Sequence, residues 1–387
     1  MRVGLIAVSY QPIKRTAVGG TEVFTTLLAE GLVRRGHQVW LFAGADSKVK
    51  GVHLVPTAPA AYVRLSEIIY HRPAQALTQV ERERLLSCLT TSSLIKAKAY
   101  EKTIDVFHDN TSSALAGVLS STFRRPFIST LHLPPTSHDF YFHIPRFITR
   151  PRVHYVAVSR YQQARFLGRS SVIYNGIDVE SFPWQSRSDQ IGLRWIGRID
   201  SNTPKGLDDA LRVAKTERCP LQWAGFIEQQ DYFDKTIRPL LSRYARRDEG
   251  LMTMTKKAAW YASGRASLLP IQWEEPFGLV AAESLAAGTP VIGYARGAFP
   301  EVIEDGVTGF LVNPSVRDHR GHWVIKQTGV AGLRAAVRRL NTMPSNEYAA
   351  MRLACRQRVE HQFSIDHMVE HYEQLYRRLI TKAKRHG

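Results

Sequence analysis

The chain has 387 residues, 44% of them hydrophobic and 22% charged, with 52 Lys and Arg against 34 Asp and Glu for a net charge of +18. At roughly 100–200 residues per domain, that length suggests two domains, each able to bury a core. No apolar run approaches the roughly 20 residues that span a bilayer, and the cysteines Cys88, Cys219 and Cys355 are too scattered for a disulfide framework or a zinc site, which fits a reducing cytosol.

Met1 to Pro12 is a short apolar run that passes straight into Gly, Pro and Lys, so it reads as a buried first strand and not a signal peptide. The strand Arg2–Ser9 leads through a glycine pair, Gly19 and Gly20, into a helix from about Thr21 to Arg35, followed by the strand Gln38–Phe42. Tyr62–Lys102 is helix-like and rich in charge, longer than a plain crossover, and reads as an insertion on the first domain. Val106–His108, Phe127–His132 and His154–Val158 continue the strand series. A polar stretch at Phe182–Gly192 reads as the linker and hinge between domains spanning residues 1–182 and 190–364. The second series is Leu193–Trp195, Leu221–Ala224, Ala266–Pro270, Pro290–Tyr294 and Gly309–Val312. Short Val-, Ile- and Leu-rich strands spaced by helices indicate βαβ units and parallel sheets. The last segment, about 365–387, carries Met368, Tyr372, Leu375 and Leu379 at helical spacing and is expected to pack back on the first domain.

Three places carry chemistry. A glycine pair before a helix lets a backbone approach a ligand closely, and the helix N-terminus offers N–H groups to an anion, although such turns also occur without any ligand. Gly197-Arg198-Ile199-Asp200, with Lys205-Gly206 downstream, follows the first strand of the second domain. Two cations there can neutralise phosphate charge, or be surface cations beside a turn glycine. In the loop running from Trp273 into a helix expected near Phe277, Glu275 and Glu283 lie eight positions apart, with Glu283 about two turns into the helix. Ionised carboxylates accept only, which suits sugar hydroxyls and a ribose diol; near a helix start they also serve as caps.

The segment EEPFGLVAAESLAAGTPVIGYARGAFPEVIEDGVTGFLV resembles the signature of the family 4 glycosyltransferases, with Glu275 and Glu283 in its E-x7-E positions. HYVAVSRYQQARF, IYNGID and GRIDSNTPKG occur in the matching order. The resemblance implies a GT-B fold, two Rossmann-like doubly wound α/β domains facing a central cleft, and retaining transfer of a sugar from a nucleoside diphosphate donor of UDP or GDP type. It implies that Arg198 and Lys205 bind the diphosphate and that Glu283 holds the ribose. Glu275 with the N–H groups of Phe277, Gly278 and Leu279 would bind the donor sugar, and Gly19 and Gly20 would line the cleft beside the phosphates. His132, at the end of a first-domain strand, matches the active-site histidine. One departure stands out: Lys205 is seven positions after Arg198, two more than the family's usual spacing.

No Asp-x-Asp pair is placed as a metal clamp, so neither divalent ion nor cofactor is expected. Residues 1–170 carry 22 Lys and Arg against 10 Asp and Glu. That excess, with the aromatic and cationic run Phe140–Arg150, suits a hydroxyl acceptor that is lipid-linked, or peripheral contact of a cytoplasmic protein with the anionic inner face of a membrane; it equally suits a loop over the acceptor cleft or a solvated basic surface. Two rival readings are a GT-B sugar-nucleotide epimerase, which the Glu275/Glu283 pairing disfavours, and a basic nucleic-acid-binding protein, for which no zinc-finger or RNP-type motif speaks.

Overall fold

The computed structural model describes residues 1–17, 19–59, 79–133, 153–166, 168–184, 191–248 and 254–386. The chain forms two compact units, Met1–Gly176 with Ile365–Gly387, and Ile177–Ser364.

In the first unit seven parallel strands lie in the order β3-β2-β1-β4-β5-β6-β7. They are β1 (Arg2–Ile6), β2 (Gln38–Gly44), β3 (His53–Ala58), β4 (Val106–Asp109), β5 (Phe127–Leu131), β6 (Val153–Ala157) and β7 (Ser170–Val172). The central strands are buried along their whole length, which is why they read as continuous apolar runs. The edge strands β3 and β7 left no such trace: β3 contains Pro56 and β7 is Ser-Ser-Val. Helix α1 (Gly20–Arg34) packs its apolar face on the sheet, and α2 (Gln79–Ala99) buries Leu94 and Ala97 in the second core cluster. The first part of the expected insertion, residues 62–78, lies outside the described residues.

The second unit holds six parallel strands in the order β10-β9-β8-β11-β12-β13. These are β8 (Leu193–Ile196), β9 (Leu221–Ala224), β10 (Ala245–Asp248), β11 (Ala266–Leu269), β12 (Val291–Tyr294) and β13 (Gly309–Val312). β10 reads Ala-Arg-Arg-Asp and is partly exposed at the sheet edge, so hydrophobicity could not reveal it. The flanking helices used below are α3 (Leu207–Thr216), α4 (Met254–Ala262), α5 (Leu279–Ala286) and α6 (Ser345–Gln362).

In both sheets the order reverses beside the first strand, between β1 and β4 and between β8 and β11. Open α/β sheets bind ligands at such switch points, outside the carboxyl ends of the strands.

The chain passes from the first unit to the second at Gly176/Ile177, before the expected linker at Phe182–Gly192. Residues 177–182 belong to the second unit because they are tied to α6. Ile177 N donates to Phe363 O, Arg356 Nη1 donates to the carbonyls of Val179 and Phe182, and Phe182 is fully buried. Residues 185–190 of the expected linker lie outside the described residues. The final helix α7 (Ile365–His386) returns to the first unit, where Met368, Tyr372, Leu375 and Tyr376 join the core while Leu379 packs half-buried at its edge. The hydroxyl of Tyr376 lies 2.6 Å from His108 Nδ1, and that of Tyr372 lies 2.9 Å from Thr130 Oγ1.

Candidate active site

In the second unit the site grows from the ends of β8 and β11. After β8 the chain turns at Gly197 and presents Arg198. The next residues fold around Asp200, whose Oδ1 accepts the N–H of Asn202 (2.9 Å) and of Thr203 (2.7 Å). This turn takes up the two extra residues between Arg198 and Lys205. Burial pushes the Asp200 carboxyl up, but the Thr203 N–H and the Arg198 charge outweigh it and hold it below its usual range. Arg198 donates through Nε to Asp200 Oδ2 at 2.7 Å, with Glu228 Oε2 at 2.9 Å, and through Nη2 to Thr203 Oγ1. The guanidinium is therefore aimed by two carboxylates and one hydroxyl while keeping much of its surface open.

Gly206 caps α3 at φ +75°, where a Cβ would lie 1.9 Å from Pro270 O. Only glycine allows that approach, and it brings Lys205 against the loop that leaves β11. Lys205 Nζ donates to Glu275 Oε2 at 2.6 Å and lies 4.1 Å from the Trp273 ring centroid, while Trp273 Nε1 donates to the same oxygen at 2.8 Å. The cation and the first acidic residue of the motif thus form one pair. The helix opens later than expected: Gly278, at φ +98°, caps α5, which begins at Leu279 with Phe277 buried before it. Glu283 is consequently little more than one turn into the helix. In the first turn of α5 Ala281 N donates to Gly278 O at 3.0 Å, and the N–H groups of Gly278, Leu279 and Val280 are those that a helix start leaves without an intrahelical acceptor. The Glu283 carboxylate, 8% exposed as a residue, accepts at Oε2 from the Tyr261 hydroxyl at 3.2 Å and pairs there with Lys257 Nζ at 2.5 Å.

Residues that the sequence reading passed over hold this loop in place. Glu274 Oε2 accepts the N–H of Gly297, and its Oε1 accepts Arg296 Nη1 and Arg320 Nη2. Ala298 N donates to Glu275 O at 2.9 Å. Gly297 stands at φ +57°, with a Cβ position 2.2 Å from that same carbonyl. Arg296 and Gly297 lie within the quoted signature segment, Glu274 to Val312, which was their one available signal; Arg320, Lys257 and Tyr261 had none.

The first unit holds the remaining candidates. Gly19 precedes α1, and the Glu22 carboxylate folds so close that a Cβ on Gly19 would lie 2.0 Å from it. Burial raises the Glu22 carboxyl, so the N-terminus beginning at Gly20 already has an acidic side chain beside it; Val18 is outside the described residues. His132 follows β5, with Nε2 at 3.1 Å from Asn110 Oδ1 and its ring edge-on to Phe24. Desolvation lowers its pKa to about 3, so the imidazole is neutral. With Nε2–H directed at Asn110, Nδ1 is the acceptor nitrogen. Asp109, missed in sequence, ends β4 at the switch point and is fully buried; burial pushes it up to about 6 although Thr111 and Ser129 donate to it. The aromatic and cationic run Phe140–Arg150 lies outside the described residues. Among the described residues no helix is long and apolar enough to cross a membrane.

Two doubly wound parallel sheets, with the E-x7-E loop at the switch point of the second, define a glycosyltransferase of the GT-B class. Family models agree: Glycosyltransferase Family 4 matches residues 18–181 and Glycosyl transferases group 1 matches residues 181–327. A glycogen synthase of Mycobacterium tuberculosis is 34% identical over 205 residues, a match that takes in 51% of this chain but only 45% of that relative. The MMP alpha-(1->4)-mannosyltransferase of Mycolicibacterium hassiacum is 27% identical over 81% of this chain and 86% of its own. The structure of Anabaena HepE in complex with UDP-glucose superposes with a TM-score of 0.67 at 19% identity, covering 97% of this chain and 99% of that one. The chain belongs to the family 4 glycosyltransferases.

Proposed function

We propose that this chain transfers a sugar, with retention of anomeric configuration, from a nucleoside diphosphate donor to a hydroxyl acceptor. The observation that carries the reading is the contact between Lys205 and Glu275, which joins the cationic loop after β8 to the acidic loop after β11. In glycosyl transfer the sugar carbon gains oxocarbenium character while negative charge builds on the departing diphosphate. Arg198 and Lys205 stabilise that charge in place of a metal ion, the electrostatic effect that usually dominates such catalysis. Lys205 has three donors, so it can keep Glu275 oriented toward the sugar hydroxyls and still reach a phosphate oxygen. Glu283 takes the ribose, and N–H groups of Phe277, Gly278 and Leu279 assist at the sugar. Within the first unit, Gly19 and Gly20 leave room for a ligand to approach the backbone, and neutral His132 offers Nδ1 as a hydrogen-bond acceptor to a hydroxyl.

The mannosyltransferase among the similar proteins supports sugar transfer, and the UDP-glucose complex supports a nucleotide-sugar donor. The basic excess of residues 1–170 supports an anionic or lipid-linked acceptor, met by a cytoplasmic protein held peripherally at the membrane face. The test is a thermal-shift panel of UDP-, GDP-, ADP- and dTDP-sugars, since a tight ligand raises the melting temperature by mass action. One donor class should stand out, and Glu283→Ala should abolish its shift; an unchanged shift in that variant would remove the ribose assignment.

A further inference from the structure

A ribose diol offers two hydroxyl donors, and an ionised carboxylate with both oxygens clear can take both. Glu283 is not in that condition. Its Oε2 already accepts from the Tyr261 hydroxyl and lies 2.5 Å from the Lys257 ammonium, so that oxygen is engaged. Only Oε1 is left to face a diol. Oε1 can take the hydrogens of a diol, but the diol's oxygens also accept, and Lys257 stands in position to donate to one of them: its ammonium lies 2.5 Å from the carboxylate and carries three donors.

The placement of Lys257 has no evident local cause. It lies in the opening turns of α4, whose first turn holds no acidic residue, and the dipole disfavours a cation at that end. Both partners are mostly buried, with 18% and 11% of their side chains exposed. A pair so enclosed loses in desolvation most of what it gains in attraction, so stability alone is a weak reason for it. The small open fraction leaves a route for a ligand to the pair.

Resting on the reading of Glu283 as the ribose ligand, we propose that Lys257 is a second ribose-recognising residue. Glu283 Oε1 accepts from one hydroxyl, and the Lys257 ammonium donates to a hydroxyl oxygen of the same sugar. Tyr261 holds the shared oxygen Oε2 and fixes the carboxylate plane. The pair is thus a donor and an acceptor set side by side, matched to hydroxyls that both give and take hydrogen bonds.

The experiment is calorimetric titration of the full chain with UDP and GDP, each beside its 2′-deoxy form. Wild type should prefer the ribonucleotide of the better base. Glu283→Ala should lose that preference, and Lys257→Met should reduce it about tenfold, the effect of one charge-assisted hydrogen bond. Lys257→Arg, which keeps the donors and the charge, should retain most of it. If Lys257→Met melts early yet keeps the full ribo-to-deoxy ratio while Glu283→Ala loses it, Lys257 is structural and the proposal fails alone. If Glu283→Ala also keeps the ratio, the ribose reading of the site fails with it. Should Lys257→Met not fold, Lys257→Ala, which also lacks any side-chain donor, is measured instead, and an unaltered ratio there overturns the proposal equally.

Discussion

Arg198 is one guanidinium among the chain's 52 cations, yet its setting distinguishes it. Asp200 and Glu228 hold it from one side, and the turn around Asp200 fixes where its base lies. Replacing it should raise the barrier to leaving-group departure while sparing the fold. Arg198→Ala is expected to lower turnover at least tenfold, about 1.4 kcal/mol, with little change in melting temperature; steady-state rates and a melt on the same preparation decide it.

Two buried groups of the first unit pull in opposite directions with pH. His132 ordinarily titrates near 6.5 and here near 3, so the stability it lends is present above 6.5 and drains away as pH falls toward 3. Asp109 ordinarily titrates near 3.8 and here near 6, so its contribution is complete below 3.8 and disappears as pH rises through 6. Asp109→Asn removes the second slope and leaves the first. Between pH 4.5 and pH 7 the variant should gain about 2 kcal/mol relative to wild type, measured by urea unfolding at the two values; parallel slopes would mean that Asp109 is not raised.

At the level of elements, glycines set how closely the loops of the second unit approach. Gly206→Ala would force a left-handed backbone on alanine and push a Cβ into Pro270 O, at 1.9 Å. The loop must then lift off the end of β11 and carry Lys205 from Glu275. We expect a lower melting temperature together with at least tenfold weaker donor binding, whereas Gly36→Ala, also at positive φ but with open space around it, should lose stability alone. Titration of both variants with the donor found by thermal shift separates the two effects.

These elements also explain what could be foreseen. β1, β4, β5, β8, β11 and β12 were legible because both faces are covered and the strand becomes an uninterrupted apolar run. β3, β7 and β10 were not, since an edge strand tolerates Pro56, paired serines or paired arginines. Arg198, Lys205, Glu275 and Glu283 were visible through a linear motif. Lys257 and Arg320 were not, because each reaches the motif from another element and has no sequence neighbour to announce it. The offset of the Arg198–Lys205 spacing was visible, but its remedy, a turn knotted on Asp200, required the hydrogen bonds to be seen.

For the molecule as a whole, α7 is part of the first unit's core and no appendage. Met368, Val369, Tyr372, Leu375 and Tyr376 are buried there, and at roughly 2 kcal/mol each their loss rivals the roughly 5–15 kcal/mol by which a typical domain is stable. Truncation after Ser364 should leave the first unit unable to fold, seen as loss of its melting transition in calorimetry while the transition of Ile177–Ser364 persists.

The two crossings of the chain, at Gly176/Ile177 and Ser364/Ile365, give the polypeptide the topology of a guest embedded in a host. Gly176 touches Ile365 so closely that a Cβ there would sit 2.8 Å from the Ile365 Cα. The host is therefore nearly continuous without its guest: a gene in which codon 176 is spliced through a short glycine bridge to codon 365 should encode a first unit that folds on its own, seen as a single cooperative melting transition. The two units can then be studied, or exchanged between relatives, as separate cassettes.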